Sequence, residues 1–132
     1  MPLDSMGPEA SVRAIRGQAN FHAGMAAEDI VARDYEQRGR RVAHRRWRGA
    51  GGEIDLIARE GDRVVFVEVK KSGTHDAAIA RLGPRQIERL CRAAEEFIGG
   101  EPRGSLTEMR FDLALVDGRG AVRIVENAFG AA

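Results

Sequence analysis

Residues 52–70 read GEIDLIAREGDRVVFVEVK and contain two strand patterns around a tight turn. Glu53–Arg59 and Arg63–Lys70 are the predicted strands, and Gly61-Asp62 between them is typical of a β-hairpin turn. The run Val64–Val67 is apolar on both strand faces, and such a strand is usually covered on both sides. These residues therefore predict a hairpin inside an α/β or α+β layer arrangement.

Helix and strand signals lie on either side of this hairpin. A helix near Phe21–Arg38 is ended by Gly39, and Pro84 begins a longer helix that runs to Ile98. The other predicted elements are a short helix over Asp76–Leu82 and strands over Met109–Val116 and Ala121–Asn127. If Arg40–Arg48, which follows the first helix, is counted as a strand, the predicted order of the main elements is helix, three strands, helix and two strands.

The composition limits the class of protein. The chain has 132 residues, 43% apolar and 31% charged, which excludes a wholly disordered chain. No apolar run approaches the ~20 residues of a membrane span, and residues 1–20 lack the apolar segment of a secretory signal. Cys91 is the only cysteine, so an intramolecular disulfide and a cysteine-based zinc site are excluded. We expect a flexible tail over residues 1–15, one domain over 16–132, a cytoplasmic location and no membrane partner.

Charged side chains interrupt the apolar hairpin. Strand alternation predicts one face with Glu53, Asp55 and Ile57 and an opposite face with Ile54, Leu56 and Ala58. In the second strand Glu68 and Lys70 share a face, and Asp55 on the neighbouring strand can project from the same side. Charges in an apolar sheet are costly unless they are paired or bind a metal.

This group has the composition of a site for a hard cation. Asp55 is followed by twelve residues, then Glu68, one residue and Lys70. Mg²⁺ is commonly held by one or two carboxylates together with water and substrate phosphate, and a neighbouring lysine can orient the attacking water. The alternative is a surface salt bridge on an edge strand.

Glu28 is a candidate fourth acidic member of the site. At ~100° per residue it falls inside the apolar arc of the first helix, beside Val31, Ala32 and Tyr35. A carboxylate that faces the core needs a partner. The alternative is a surface glutamate, or one that pairs with a nearby arginine.

Arginines cluster locally although the net charge is only +1. The basic stretch Arg40–Arg48 contains Arg40, Arg41, Arg45, Arg46 and Arg48, with His44 and Trp47 among them. Arginine binds phosphate bidentately and an indole can stack on a base, so this stretch predicts nucleic-acid binding. Arg81, Arg85, Arg89 and Arg92 form a possible second stripe, and Gln86 lies where it could reach the sheet edge. A solvated charged surface is the alternative for both groups.

Several segments carry a family resemblance. They are Gly24-x3-Glu28, Gly39, Gly52-Glu53-Ile54-Asp55-Leu56-Ile57-Ala58, Val65-Phe66-Val67-Glu68-Val69-Lys70, Arg110-Phe111-Asp112 and Glu126-Asn127-Ala128-Phe129. Together they resemble the YraN-like family of small bacterial proteins over roughly Arg16–Phe129. That family is similar to the restriction-endonuclease-like superfamily with its PD-(D/E)xK site. Ile54 stands where the superfamily pattern has proline, and Gln86 stands where many family members have lysine.

The resemblance implies a fold and a set of roles. The fold is α/β and restriction-endonuclease-like, with a central mixed five-stranded sheet flanked by helices, similar to archaeal Holliday-junction resolvases. Asp55 and Glu68 would be metal ligands together with the Val69 backbone carbonyl. Lys70 would be the catalytic lysine and Glu28 the acid carried by the first helix.

The leading hypothesis is a nuclease-like domain that depends on Mg²⁺ or Mn²⁺ and acts on DNA, including branched or structured DNA. Arg40, Arg41, Arg45, Arg46, Arg48 and Gln86 would contact the nucleic acid. One alternative is a non-catalytic nucleic-acid-binding module of the same fold, and another is a protein-interaction domain whose acidic cluster is only structural. A homodimer is also expected, with its contact at the C-terminal strand or the basic stretch, because a C2 dimer suits a protein that cuts two strands.

Overall fold

The computed structural model of the protein describes residues 26–76 and 83–128. Helix α1 covers residues 26–37 in the described part. The elements that follow are β1 (Arg41–Gly49), β2 (Gly52–Glu60), β3 (Arg63–Lys71), α2 (Pro84–Ile98), a 3₁₀ turn (Gly104–Leu106), β4 (Met109–Val116) and β5 (Val122–Val125). The predicted tail over residues 1–15, and the predicted helix Asp76–Leu82 beyond Asp76, lie outside the described residues.

The five strands form one sheet in the order β1-β2-β3-β4-β5. Strand β3 pairs antiparallel with β2 and parallel with β4, and the remaining pairs are antiparallel. The parallel pair is joined through α2, as a parallel connection requires a crossover. The prediction of an α/β fold with a central mixed five-stranded sheet flanked by helices is confirmed, and the arrangement agrees with the restriction-endonuclease-like fold.

The two helices cover opposite faces of the sheet. One apolar cluster joins α1 to the sheet and contains Ala27, Val31, Ala32, Tyr35, Leu56, Ala58, Val65, Val67, Ala114 and Val116. The other joins α2 to the sheet and contains Ile54, Ile57, Val64, Phe66, Leu90, Ala93, Ala94, Phe97, Ile98 and Phe111. Strand β3 supplies side chains to both clusters. Both apolar faces of the run Val64–Val67 are therefore covered, as predicted.

The element ends follow from local backbone chemistry. Pro84 occupies the start of α2, where a missing N–H costs nothing. Gly39 ends α1 with φ +80°, a conformation that side chains other than glycine seldom adopt. The predicted strand Ala121–Asn127 is shorter in the structure, because Asn127 has φ +53° and the chain turns after Val125.

One prediction about β2 is wrong. Regular alternation assigned Ile54 to the face of Leu56 and Ala58, but Ile54 packs in the α2 cluster with Ile57. The partner strand shows the same irregularity, because His44 and Trp47, three positions apart, both place their rings edge-on to Phe97. Between them Arg46 has φ +53°, which breaks the regular pleat of β1 next to Asp55.

Within the described residues, no helix has the length and apolar character needed to cross a membrane.

Candidate functional site

The central hairpin opens into a fork at one end. Strands β2 and β3 pair from Glu60 and Arg63 at the turn as far as Leu56 and Val67. Beyond this point β2 remains paired with β1, and β3 remains paired with β4. The first residues past the last paired positions are Asp55 and Glu68, so the two carboxylates lie where the strands part.

Past the last paired residues, the side chain of Asp55 makes a hydrogen bond between β2 and β3 in place of the backbone bonds. The backbone N–H of Val69 donates to Asp55 Oδ2 at 2.8 Å. The N–H and C=O of one strand residue point toward the same neighbouring strand, so the Val69 carbonyl is also directed to the β2 side. The fork therefore combines two carboxylates with a backbone carbonyl, all of them oxygen donors.

Glu68 is a buried carboxylate, 6% exposed. Its Oε2 atom accepts a short hydrogen bond from the Gln86 side-chain amide and lies 3.3 Å from the Lys70 ammonium. Burial and the nearby charge of Asp55 raise the pKa of Glu68 to about 8, and Lys70 opposes this rise. This shift favours the protonated form of Glu68 near neutral pH in the free protein, because a second negative charge beside Asp55 in a buried position is unfavourable.

A cleft lies between the fork and the first turns of α2. It has a volume of about 400 Å³ and is lined by Gly52, Glu53, Asp55, Glu68, Gln86, Arg89 and Leu90. The structure therefore brings Asp55, Glu68, Lys70 and Gln86 together. Arg89, a member of the predicted second arginine stripe, lines the cleft as well.

Glu28 does not join the two carboxylates directly. Its side chain is 14% exposed and accepts a bond from Arg46 Nε at 3.0 Å. Among residues 26–76 and 83–128, no three His, Cys, Asp or Glu side chains are grouped closely enough to hold a metal ion. Glu28 is instead connected to the fork through Arg46, whose guanidinium also interacts with Glu53 and Asp55.

The predicted phosphate-binding arginines fall into separate groups. Arg46 and Arg48 lie at the fork end of β1, and Arg48 contacts Glu53 across the strand pair. Arg45 pairs with Asp29 of α1. Arg41 lies opposite Arg59 near the other end of β2.

Arg40 belongs to a network at that opposite end, which sequence reasoning did not find. Arg40 binds Glu60 and Glu126, and its side chain is only 16% exposed. Next to it Asp112 is fully buried and accepts bonds from the Tyr35 hydroxyl at 2.6 Å and from Arg110 Nε at 2.8 Å. The available signal was an acidic residue inside the apolar pattern of β4. This network ties α1, β4 and the C-terminal segment together and lies apart from the fork.

Comparison with known proteins agrees with this architecture. The model of the uncharacterised protein family UPF0102 matches residues 27–116, which include both strands of the fork and α2. A UPF0102 protein of Cereibacter sphaeroides is 62% identical over 115 residues, which cover 87% of this chain and 98% of the relative. UPF0102 proteins of Ruegeria pomeroyi and Roseobacter denitrificans are 62% and 50% identical, over 89% and 92% of this chain and over 95% and 94% of the relatives. The matches cover most of this chain and most of each relative, and they confirm the resemblance to the YraN-like proteins. The chain therefore belongs to the UPF0102 family.

Proposed function

We propose that this protein is a divalent-metal-dependent nuclease that hydrolyses phosphodiester bonds in DNA. The observation that carries the proposal is the convergence of Asp55 and Glu68 at the strand fork, with Lys70 on the same strand as Glu68. A buried carboxylate, Glu68, is kept beside the half-buried Asp55, and this arrangement is unfavourable unless a proton or a cation lies between them.

The donor set fits Mg²⁺ or Mn²⁺. Asp55, Glu68 and the Val69 carbonyl supply only hard oxygen ligands, and no cysteine lies among them. Mg²⁺ is usually bound by one or two carboxylates and completes its coordination with waters and substrate phosphate. When bound, such a cation would supply positive charge to the phosphate and lower the pKa of the attacking water.

Protein donors occupy one oxygen of each carboxylate. Val69 N–H binds Asp55 Oδ2, while Gln86 and Lys70 both approach Glu68 Oε2. These bonds fix the orientation of both side chains. The Lys70 side chain is 21% exposed, and its ammonium would orient the attacking water and stabilise the negative charge that develops on the phosphate.

Arginines near the fork would hold the nucleic-acid backbone. Arg46 and Arg48 border it on β1, and Arg89 lines the cleft on α2. Arg40 has a structural role in the Glu60 and Glu126 network, so we do not assign it to phosphate. Arg41 and Arg45 remain proposed backbone contacts at a greater distance from the fork.

A cleavage assay tests this proposal. Labelled linear, flapped and four-way-junction DNAs and a single-stranded RNA are incubated with the protein and Mg²⁺ or Mn²⁺. We expect cutting that requires the metal and falls at least about 100-fold in Asp55→Asn and Lys70→Ala. The matched control is Asp62→Asn, which changes an exposed carboxylate in the turn of the same hairpin and should leave the rate unchanged.

Each outcome separates the candidate functions. Binding without cutting, with equal affinity in Asp55→Asn, would favour the non-catalytic module. Cutting that persists in Asp55→Asn would show a contaminating nuclease or another site and would overturn the assignment of the fork.

A further inference from the structure

Arg46 has an unusual position in β1. It adopts φ +53° and lies between the paired positions Arg45–Leu56 and Trp47–Ile54, which places it opposite Asp55. Left-handed backbone at a residue other than glycine costs of order 1–3 kcal/mol and is frequent at functional sites. At this position of β1, successive side chains no longer point to opposite faces of the sheet.

Arg45 and Arg46 both reach carboxylates of α1. Arg45 binds Asp29, and Arg46 binds Glu28. In a regular strand the two side chains would diverge, and only one of them would meet the helix. The irregular backbone thus brings the Arg46 guanidinium to Glu28 while its interactions with Glu53 and Asp55 are maintained.

The two partners in this ion pair differ in exposure. The Glu28 side chain is 14% exposed, whereas that of Arg46 is 48% exposed. A mostly buried carboxylate is therefore neutralised by a cation that a large ligand can reach from solvent. Arginine binds phosphate through two parallel hydrogen bonds, so a nucleic-acid phosphate would compete well with a carboxylate for this guanidinium.

We propose that Arg46 is the phosphate-contacting residue that couples nucleic-acid binding to metal binding, an inference that rests on the proposed function. In the free protein the guanidinium neutralises Glu28 and repels a cation from Asp55. A backbone phosphate takes the guanidinium, which removes its positive charge from beside Asp55 and leaves the negative charge of Glu28 without this counter-ion near the fork. Metal and nucleic acid consequently bind with positive cooperativity, and the coupling is reciprocal.

The coupling makes a prediction that a simple phosphate contact does not. Removing the Arg46 charge should tighten Mn²⁺ binding in the absence of nucleic acid. The guanidinium near Asp55 and Glu28 repels the metal ion, and this repulsion is lost in the variant. Asparagine is the suitable replacement, because it tolerates left-handed backbone. Arg45→Asn is the matched control, because it breaks the neighbouring ion pair to Asp29 and not the one to Glu28.

The experiment measures Mn²⁺ affinity by calorimetry on the full chain, with unfolding curves to verify that each variant is folded. We expect Arg46→Asn to bind Mn²⁺ about fivefold more tightly than the unsubstituted protein, and Arg45→Asn to match that protein within twofold. Arg46→Lys keeps the charge and should also match it. In Glu28→Gln, the further substitution Arg46→Asn should give a smaller gain, because Glu28 no longer contributes a carboxylate.

A second measurement adds a phosphorothioate duplex, which resists hydrolysis, with its own Mn²⁺ binding subtracted. The duplex should tighten Mn²⁺ binding to the unsubstituted protein and have little effect on Arg46→Asn. If Asp55→Asn binds Mn²⁺ as well as the unsubstituted protein does, the proposed function and this inference both fail. If binding depends on Asp55 but Arg46→Asn and Arg45→Asn behave alike, the inference alone is overturned.

Discussion

Glu68 faces a second carboxylate across the fork and has little contact with solvent. Its pKa is raised to about 8 by burial and by Asp55, although Lys70 is close. The sequence predicted that Glu68 and Lys70 share a face, because β3 keeps its regular alternation. It did not predict the bond between Gln86 and Glu68, because the position of α2 above the fork is set by tertiary packing.

The raised pKa of Glu68 predicts a pH-dependent stability. An unfolded glutamate titrates near 4.5, so between this value and about 8 the folded state binds the proton more tightly. The free energy of unfolding therefore falls as the pH rises through that window, by at most about 1.4 kcal/mol per pH unit from this group. Urea unfolding at several pH values with a chelator present should show a flatter dependence in Glu68→Gln. Equal slopes in the two proteins would show that burial beside Asp55 does not raise the pKa of Glu68.

The Tyr35 hydroxyl predicts a stability effect at the other end of the sheet. It donates to the fully buried Asp112, a residue 77 positions away in the chain. Tyr35→Phe should lower the free energy of unfolding by about 1–3 kcal/mol, because a buried carboxylate loses a donor. Urea unfolding followed by the fluorescence of Trp47 measures this change. An unchanged midpoint would show that Arg110 and the Asn127 N–H alone satisfy Asp112.

At the scale of elements, the hairpin and the two long helices were predictable and the fork was not. The turn Gly61-Asp62 and the apolar run in β3 are strong local signals, and the observed strands differ from the predicted ones by a residue or so. Beside the fork the alternation of β2 is reversed at Ile54, and Arg46 on the paired strand β1 is left-handed. Arginine carries no sequence signal for that conformation, so the irregularity could only be seen in the structure.

The turn between β1 and β2 is attached to α2 by one carboxylate. Glu96 Oε1 accepts bonds from the backbone N–H of Ala50 at 2.8 Å and of Gly51 at 3.4 Å. Glu96→Ala should cost about 0.5–1.5 kcal/mol and increase hydrogen exchange at Ala50. The exposed neighbour Glu95 provides the control variant Glu95→Ala. If both variants unfold at the same urea concentration, the attachment contributes nothing to stability.

The sheet order leaves β1 and β5 as the two edges of the molecule's single sheet. Strand β3 is central, in accord with the prediction that its two apolar faces are both covered. The irregular, arginine-rich β1 is poorly suited to pairing with another strand, because bulges and charges discourage such pairing. A homodimer therefore remains a prediction that favours the C-terminal edge at β5, and light scattering should give a mass near twice 14.4 kDa. A monomer mass with DNA bound would contradict it.

We propose that the fork binds a divalent cation through Asp55 and Glu68. Anomalous diffraction from crystals grown with Mn²⁺ tests this claim directly, because the signal locates the ion without any assumption about substrate. We predict a peak between the two carboxylates, at about 2.0–2.2 Å from an oxygen of each, that is lost in Asp55→Asn. Absence of a peak at the fork at millimolar Mn²⁺, or a peak that persists in Asp55→Asn, would show that Asp55 and Glu68 do not form a metal site.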